Sequence, residues 1–172
     1  RLIKGNVLDQ KTYKTLMTDV NNTVYYNKAL HFIDFKPRTK KEINEYLTKF
    51  QLDESTINKI VKKLEKIGFI DDERYANRYT EELIRKGKGK KAIYNLLIKK
   101  GIEQDLINEN LSKYEKDDEF ANALRIAEKL VKPESDYPIK KQKMQLIEKL
   151  LREGYGQDAI NYAMSNITFT DN

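Results

Sequence analysis

The sequence predicts an all-α protein of tandem three-helix repeats stacked into an elongated molecule. Three observations lead there. Apolar residues recur every three or four positions, and the Val-Thr-Ile alternation of strands is scarce. Only three prolines and seven glycines interrupt 172 residues. The chain also nearly repeats itself. GIEQDLINENL at 101–111 and GYGQDAINYAM at 154–164 align Gly101 with Gly154, Gln104 with Gln157, Asp105 with Asp158, Ile107 with Ile160 and Asn108 with Asn161.

The elements follow in order. Helices are expected at about 21–35, 39–50, 53–67, 72–86, 89–100, 103–115, 117–131, 139–153 and 157–166, with residues 8–20 a possible further one. Thr39 and Glu42 have capping-box spacing, in which hydroxyl and carboxylate reciprocally satisfy free N–H groups at a helix start. Asp53, Asp72 and Asp117 stand where N-caps are wanted. Gly68, Gly101 and Gly154 stand just past helical runs, where a left-handed cap favours glycine. Pro37 and Pro138 read as breaks before a helix. Three apolar stripes define buried faces: Ile57, Ile60, Val61, Leu64 and Ile67; Ile93, Leu96 and Leu97; Met144, Ile147, Leu150 and Leu151.

The repetition extends backwards. Shifted by 50, residues 101–111 fall on QLDESTINKIV at 51–61, with Ile57 opposite Ile107 and Gln51 in the place of the glycine. RYANRY at 74–79 parallels EFANAL at 119–124, pairing Ala76 with Ala121 and Tyr75 with Phe120. The units run over 21–67, 72–115 and 117–166. The third carries an insertion near VKPESDYPIKK at 131–141. A period of this length is that of helical repeats, each burying its apolar face on its neighbours. Ile57, Ile107 and Ile160 are then core positions.

Composition bounds the function. The chain is 39% hydrophobic and 35% charged, with a mean hydropathy of −0.78, so most elements have a wet face. Lys and Arg number 33 against 27 Asp and Glu, a net charge of +6 and a pI of about 9.2. That favours an acidic partner, nucleic acid or protein, with solubility as the plainer use. The absence of cysteine excludes disulfides, thiolate metal sites and thiol catalysis, and fits a cytoplasmic setting. No apolar run approaches a membrane span. The chain opens RLIKG without Met, which reads as a start inside a longer protein.

The ordered motifs carry a resemblance. KPRTKKEINEYL at 36–47, then LEKIGFIDDERYANRYTEELIRKGKGKKAIYNLLIKKGIEQDLINENL at 64–111, resemble the RecX family of bacterial RecA regulators. The shared features are a basic Pro-Arg-Ser/Thr start, a Gly after L-x-x-x, an Asp-Asp pair with Tyr-Ala, and a Lys/Arg-Gly-Lys-Gly stretch before L-x-x-x-G-I. The resemblance covers 25–166. It implies a curved, all-α, three-repeat molecule; a monomer without cofactor is expected besides. The resemblance also implies binding to the RecA filament on DNA, restraint of recombinase and coprotease activities, and a part in DNA repair and the SOS response. Residues 1–20 resemble the join to an amino-terminal extension, and 167–172 the start of a further region.

Three basic stretches are candidate contacts with RecA or DNA: Lys36, Arg38, Lys40 and Lys41; Arg85, Lys86, Lys88, Lys90 and Lys91; and Lys140, Lys141 and Lys143. RKGKGKK at 85–91 reads either as a flexible basic loop for phosphate or an acidic protein groove, or as a solvated turn. It lacks P-loop spacing. Cations clustering at helix N-termini oppose the helix dipole and need a reason, either a shared anionic partner or solubility. Asp71, Asp72 and Glu73 read as helix-start residues ahead of a metal site. His31, the single histidine, reads as a core-edge residue. With no cysteine and one histidine, a nucleophile–base–orienter set has no credible members, so no enzyme is expected. The eleven tyrosines read as core-edge packing ahead of a base-stacking platform. The rival readings are a free-standing nucleic-acid-binding module and a helical scaffold with no DNA role.

Overall fold

The computed structural model describes residues 9–131 and 137–169. The RLIKG opening, part of the 131–141 insertion and the last three residues lie outside them. Nine helices and no strand occur among the described residues. They are α1 (Gln10–Asp34), α2 (Lys40–Thr48), α3 (Glu54–Lys66), α4 (Asp72–Arg85), α5 (Lys90–Lys99), α6 (Gln104–Ser112), α7 (Lys116–Leu130), α8 (Ile139–Arg152) and α9 (Gln157–Ser165). The chain divides into two compact units, 1–71 and 72–172.

Unit 1 holds α1–α3 around one core. Ile43 and Leu47 from α2 and Ile57, Ile60, Val61 and Leu64 from α3 close on Ala29 of α1. Each fully buried Ile or Leu contributes about 1.5–3 kcal/mol. Unit 2 holds two such cores. Ala76, Leu83, Ile93, Leu97, Ile102, Ile107 and Tyr114 form one. Ala123, Ala127, Leu146, Leu150, Tyr155, Ala159, Ile160 and Ala163 form the other. Ile57, Ile107 and Ile160 are 7%, 0% and 0% exposed, so all three repeat positions are core.

The caps show how sequence sets these boundaries. Thr39 accepts from the Glu42 N–H at 3.2 Å while Glu42 accepts from the Thr39 N–H at 3.1 Å, completing the capping box. Asp53 caps α3 through the Thr56 N–H at 2.9 Å. Gly68, Gly101 and Gly154 have φ of +76°, +80° and +87°, and Gln51, at the position equivalent to the latter two, adopts +57°. The turn geometry at Gln51 thus persists without the residue that adopts it at low cost.

Several expectations are corrected. Residues 8–20 and 21–35 are not two helices: α1 runs unbroken from an Asp9 cap, because no Gly or Pro intervenes and asparagine only mildly disfavours a helix. Asp72 and Asp117 lie inside first turns, where they offset the dipole, and α7 has Glu115 at its N-cap. Ile67 is exposed because α3 has already ended at Lys66. On α8 the buried residues are Leu146 and Leu150, while Met144 and Leu151 are 58% and 53% exposed. Leu150 of the expected stripe is thus core and Ile147 packs against it, while Leu146 is buried where Met144 was expected; the spacing fits either residue, so periodicity alone could not choose between them. Ala76 is buried but Ala121 is exposed; α7 turns Glu119, Ala123 and Ala127 inward instead. His31 is exposed, with its ring 5.6 Å from Phe35.

Candidate functional site

The three basic stretches occupy equivalent places, each leading into the second helix of a three-helix group: α2, α5 and α8. Their side chains are put to different uses.

In the first stretch, Lys36 is exposed and makes no ion pair among the described residues. Arg38 is a packing residue. Its guanidinium lies 3.8 Å from the Phe32 ring centroid, and its Nε donates to the Phe32 carbonyl at 3.4 Å. Phe32 in turn stacks on Tyr46 at 4.2 Å. Such a desolvated cation–ring contact contributes about 1–2 kcal/mol to folding. Lys40 pairs with Glu65 at 2.9 Å and Lys41 with Glu45 at 3.9 Å. Both pairs are exposed and contribute little.

The second stretch is a packed joint rather than a free loop. Gly87 and Gly89 are buried. The Gly89 N–H donates to the Glu153 carbonyl at 2.9 Å, and the Lys91 N–H donates to the Gly154 carbonyl at 3.2 Å. The Tyr155 hydroxyl donates to the Gly87 carbonyl at 3.0 Å. The two backbones approach so closely that a Cβ on Gly89 would lie 2.5 Å from the Gly154 carbonyl carbon. A Cβ on Gly154 would lie 2.3 Å from the Ala92 nitrogen. Lys88 forms an ion pair with Glu153, which also meets Lys149 at 2.6 Å. Lys86 pairs with Glu82 one helical turn back. The Lys90 ammonium lies 5.5 Å from the Tyr114 ring centroid. Arg85 and Lys91 remain exposed, with no ion pair among the described residues.

In the third stretch, Lys141 covers the Tyr137 ring at 3.9 Å and Lys143 the Phe169 ring at 5.3 Å. Lys140 is exposed and makes no ion pair among the described residues.

The helix dipoles explain part of this pattern. α2 supplies its own acid, Glu42. α5 has no acid in its first turn, and Glu119 of α7 fills the gap by accepting from the Lys90 N–H at 3.1 Å. α8 has neither an acidic first turn nor a side-chain cap. Among the described residues its cations are therefore the least compensated of the three sets.

Protonation follows from burial in the joint. Burial opposes ionisation of Glu153, but hydrogen bonds and charge from Lys149 and Lys88 outweigh it and hold the carboxyl below its ordinary value. Burial raises the Tyr155 hydroxyl well above its ordinary value and pushes Tyr114 up to about 12. Some of the tyrosines serve packing: Tyr114 and Tyr155 are 4% and 2% exposed, and Tyr75 packs on its core as Phe120 does on its own, whereas Tyr13, Tyr137 and Tyr162 are exposed. No group of three or more carboxylates or imidazoles is placed to hold a metal ion among the described residues.

Sequence reasoning missed Glu119, Glu153 and Tyr155. The available signal was GYG at 154–156, read only as a helix stop, when its first glycine also admits a second backbone.

The fold and these junctions define a class, proteins of tandem three-helix domains with basic interhelical junctions. Family models agree: the second three-helix domain of RecX matches residues 71–111 and the first matches 26–64. The chain belongs to the RecX family. It is 31% identical to regulatory protein RecX of Staphylococcus carnosus and 27% identical to that of Listeria innocua, over 98% of its own length in each case. It spans 63% of the length of each of these relatives. Among solved structures it resembles a regulatory protein RecX with a TM-score of 0.83 at 25% identity, covering 96% of this chain and 82% of that one. It also resembles RecX from Lactobacillus salivarius with a TM-score of 0.77 at 27% identity, covering 86% of this chain and 96% of that one. No helix among the described residues is long and apolar enough to cross a membrane.

Proposed function

We propose that this chain is the repeat-bearing part of a non-enzymatic regulator that binds the RecA–DNA filament and restrains its recombinase, ATPase and coprotease activities. Through those activities it tempers DNA repair and the SOS response in the cytoplasm. Its partner is the RecA filament, with DNA contacted directly or through it. The observation that carries the reading is the distribution of uncommitted cations in a chain of this family. Among the described residues each basic junction keeps at least one without an ion pair: Lys36 in the first, Arg85 and Lys91 in the second, Lys140 in the third. Contacts of this kind are individually weak, and several on one chain add through effective concentration.

The structure narrows the variants that test it. Lys88 and Lys90 are spared because they build the joint. Lys36, Arg85, Lys91 and Lys140 are replaced together, once by Gln and once by Glu. Both forms should keep the melting temperature nearly unchanged, because exposed charges contribute little to stability. Both should lose inhibition of filament ATP hydrolysis, the Glu form more, because reversal adds repulsion to lost attraction. Full inhibition by the folded Glu form would place the contact elsewhere. A free-standing nucleic-acid-binding module is the second reading, favoured only by the net charge of +6. Naked DNA bound as tightly as preformed filament at matched salt would select it.

A further inference from the structure

Between α4, α6 and α7 lies a cleft of about 390 Å³ whose chemistry is opposite in sign to the rest of the chain. Glu81 of α4 and Asp118 in the first turn of α7 line it, and neither makes an ion pair among the described residues. Such carboxylates stand out in a chain with excess cations. The lysine on the wall, Lys113, is held by Glu109 at 2.9 Å. Below them Thr80 is 4% exposed, and its buried hydroxyl has no hydrogen-bond partner. Unmet buried hydroxyls are rare in native proteins, because each gives up its bonds to water and gains none in return. Asn110, also 4% exposed, donates its amide to the Leu106 carbonyl at 2.9 Å, which leaves its side-chain oxygen as an acceptor. Ile84 adds apolar surface to the wall.

We propose that this cleft seats an arginine side chain of a protein partner. The lining offers acceptors in several directions and two carboxylates. A guanidinium is planar, always charged and carries only donors, five in a fixed fork. A lysine ammonium would satisfy fewer of these dispersed acceptors. A phosphate would meet Glu81 and Asp118 and be repelled, so nucleic acid does not fit here. The aliphatic stem of arginine suits the Ile84 wall. The site borders the second basic junction at Tyr114, whose ring Lys90 faces at 5.5 Å, but it does not depend on the function proposed above. It assigns this surface to protein, whatever the junctions bind.

The probe is the peptide acetyl-Gly-Arg-Gly-amide, with its citrulline counterpart as the neutral isostere. The side-chain amide resonances of Asn110 and Asn122, both on the cleft, report binding to the whole chain by NMR. Saturable shifts are expected with the arginine peptide. The citrulline peptide should bind about 10-fold more weakly, since charge-assisted hydrogen bonds are roughly twice as strong as neutral ones. The double variant Glu81→Gln, Asp118→Asn should show a similar loss. Thr80→Val, which removes the orphan hydroxyl at constant shape, should weaken binding while raising the melting temperature, because the unmet buried group is gone. Equal binding of the two peptides, no saturable shift at millimolar peptide, or the same resonances shifting with a single-stranded oligonucleotide would each overturn the assignment.

Discussion

The junctions at Thr39 and Gly89 occupy the same place in successive repeats, 50 residues apart, and reach stability by opposite routes. The first is local. Thr39 and Glu42 cap α2 within one turn, Arg38 clamps onto Phe32, and Phe35 stays 79% exposed. The second is long-range. Gly89 offers no side-chain cap, so Glu119 supplies one from α7, while Glu153, Gly154 and Tyr155 hold the backbone from the far side. The difference teaches that counting cations is a poor guide to a binding surface. Of five cations in RKGKGKK, Lys88 is consumed by the joint and Lys86 by its neighbour Glu82. The first junction can be substituted piecemeal, whereas the second ties its repeat to the next.

The largest expected effect breaks the long-range junction. Gly154→Ala places a methyl against Ala92 and forces alanine into a left-handed backbone. The loss should be about 2–5 kcal/mol, from overpacking and left-handed strain together. Gly68→Ala, whose φ is also positive but whose Cβ meets open space, should lose only about 1–2 kcal/mol. Chemical denaturation of both variants checks the contrast. Equal losses would mean that close approach contributes nothing at Gly154.

A smaller effect, and one with a pH signature, sharpens the comparison at Glu153. Its carboxyl is held below its ordinary value of 4.5 in the folded chain. The stabilisation is therefore fully present above that value and is lost as pH falls through the folded pKa. Glu153→Gln should cost about 1–2 kcal/mol at neutral pH, as for hydrogen bonds to charged groups that remain partly solvated. The gap in melting temperature between the two proteins should close as the solution is acidified below 4.5. A gap that stays constant with pH would remove the ion pair from the joint's account.

The smallest effect tests the local junction. Thr39→Ala should destabilise by about 1 kcal/mol, the usual cost of an N-cap. Because its bonds lie within α2, hydrogen exchange should rise in unit 1 and not at the Gly89 or Lys91 amides. Faster exchange at those two amides would show that the first junction is not self-contained.

What the sequence alone determined is whatever depends on near neighbours. The helical class, the Thr39 capping box, the left-handed stops at Gly68, Gly101 and Gly154 and the core isoleucines follow from periods of three and four and from the stereochemistry of glycine. The family is legible for the same reason, since its motifs keep order and spacing. The candidate cations were visible, but not which of them remain uncommitted. That depends on acids far along the chain, such as Glu153, 65 residues from Lys88. The inward face of α8 was legible only in part: Ile147 and Leu150 lie on it as expected, but Leu146 completes it in place of Met144 and Leu151, which satisfy the same periodicity. Only packing against α7 and α9 selects between them. The acidic cleft belongs to tertiary structure entirely: Glu81, Asn110 and Asp118 sit on three helices, and no local pattern brings them together.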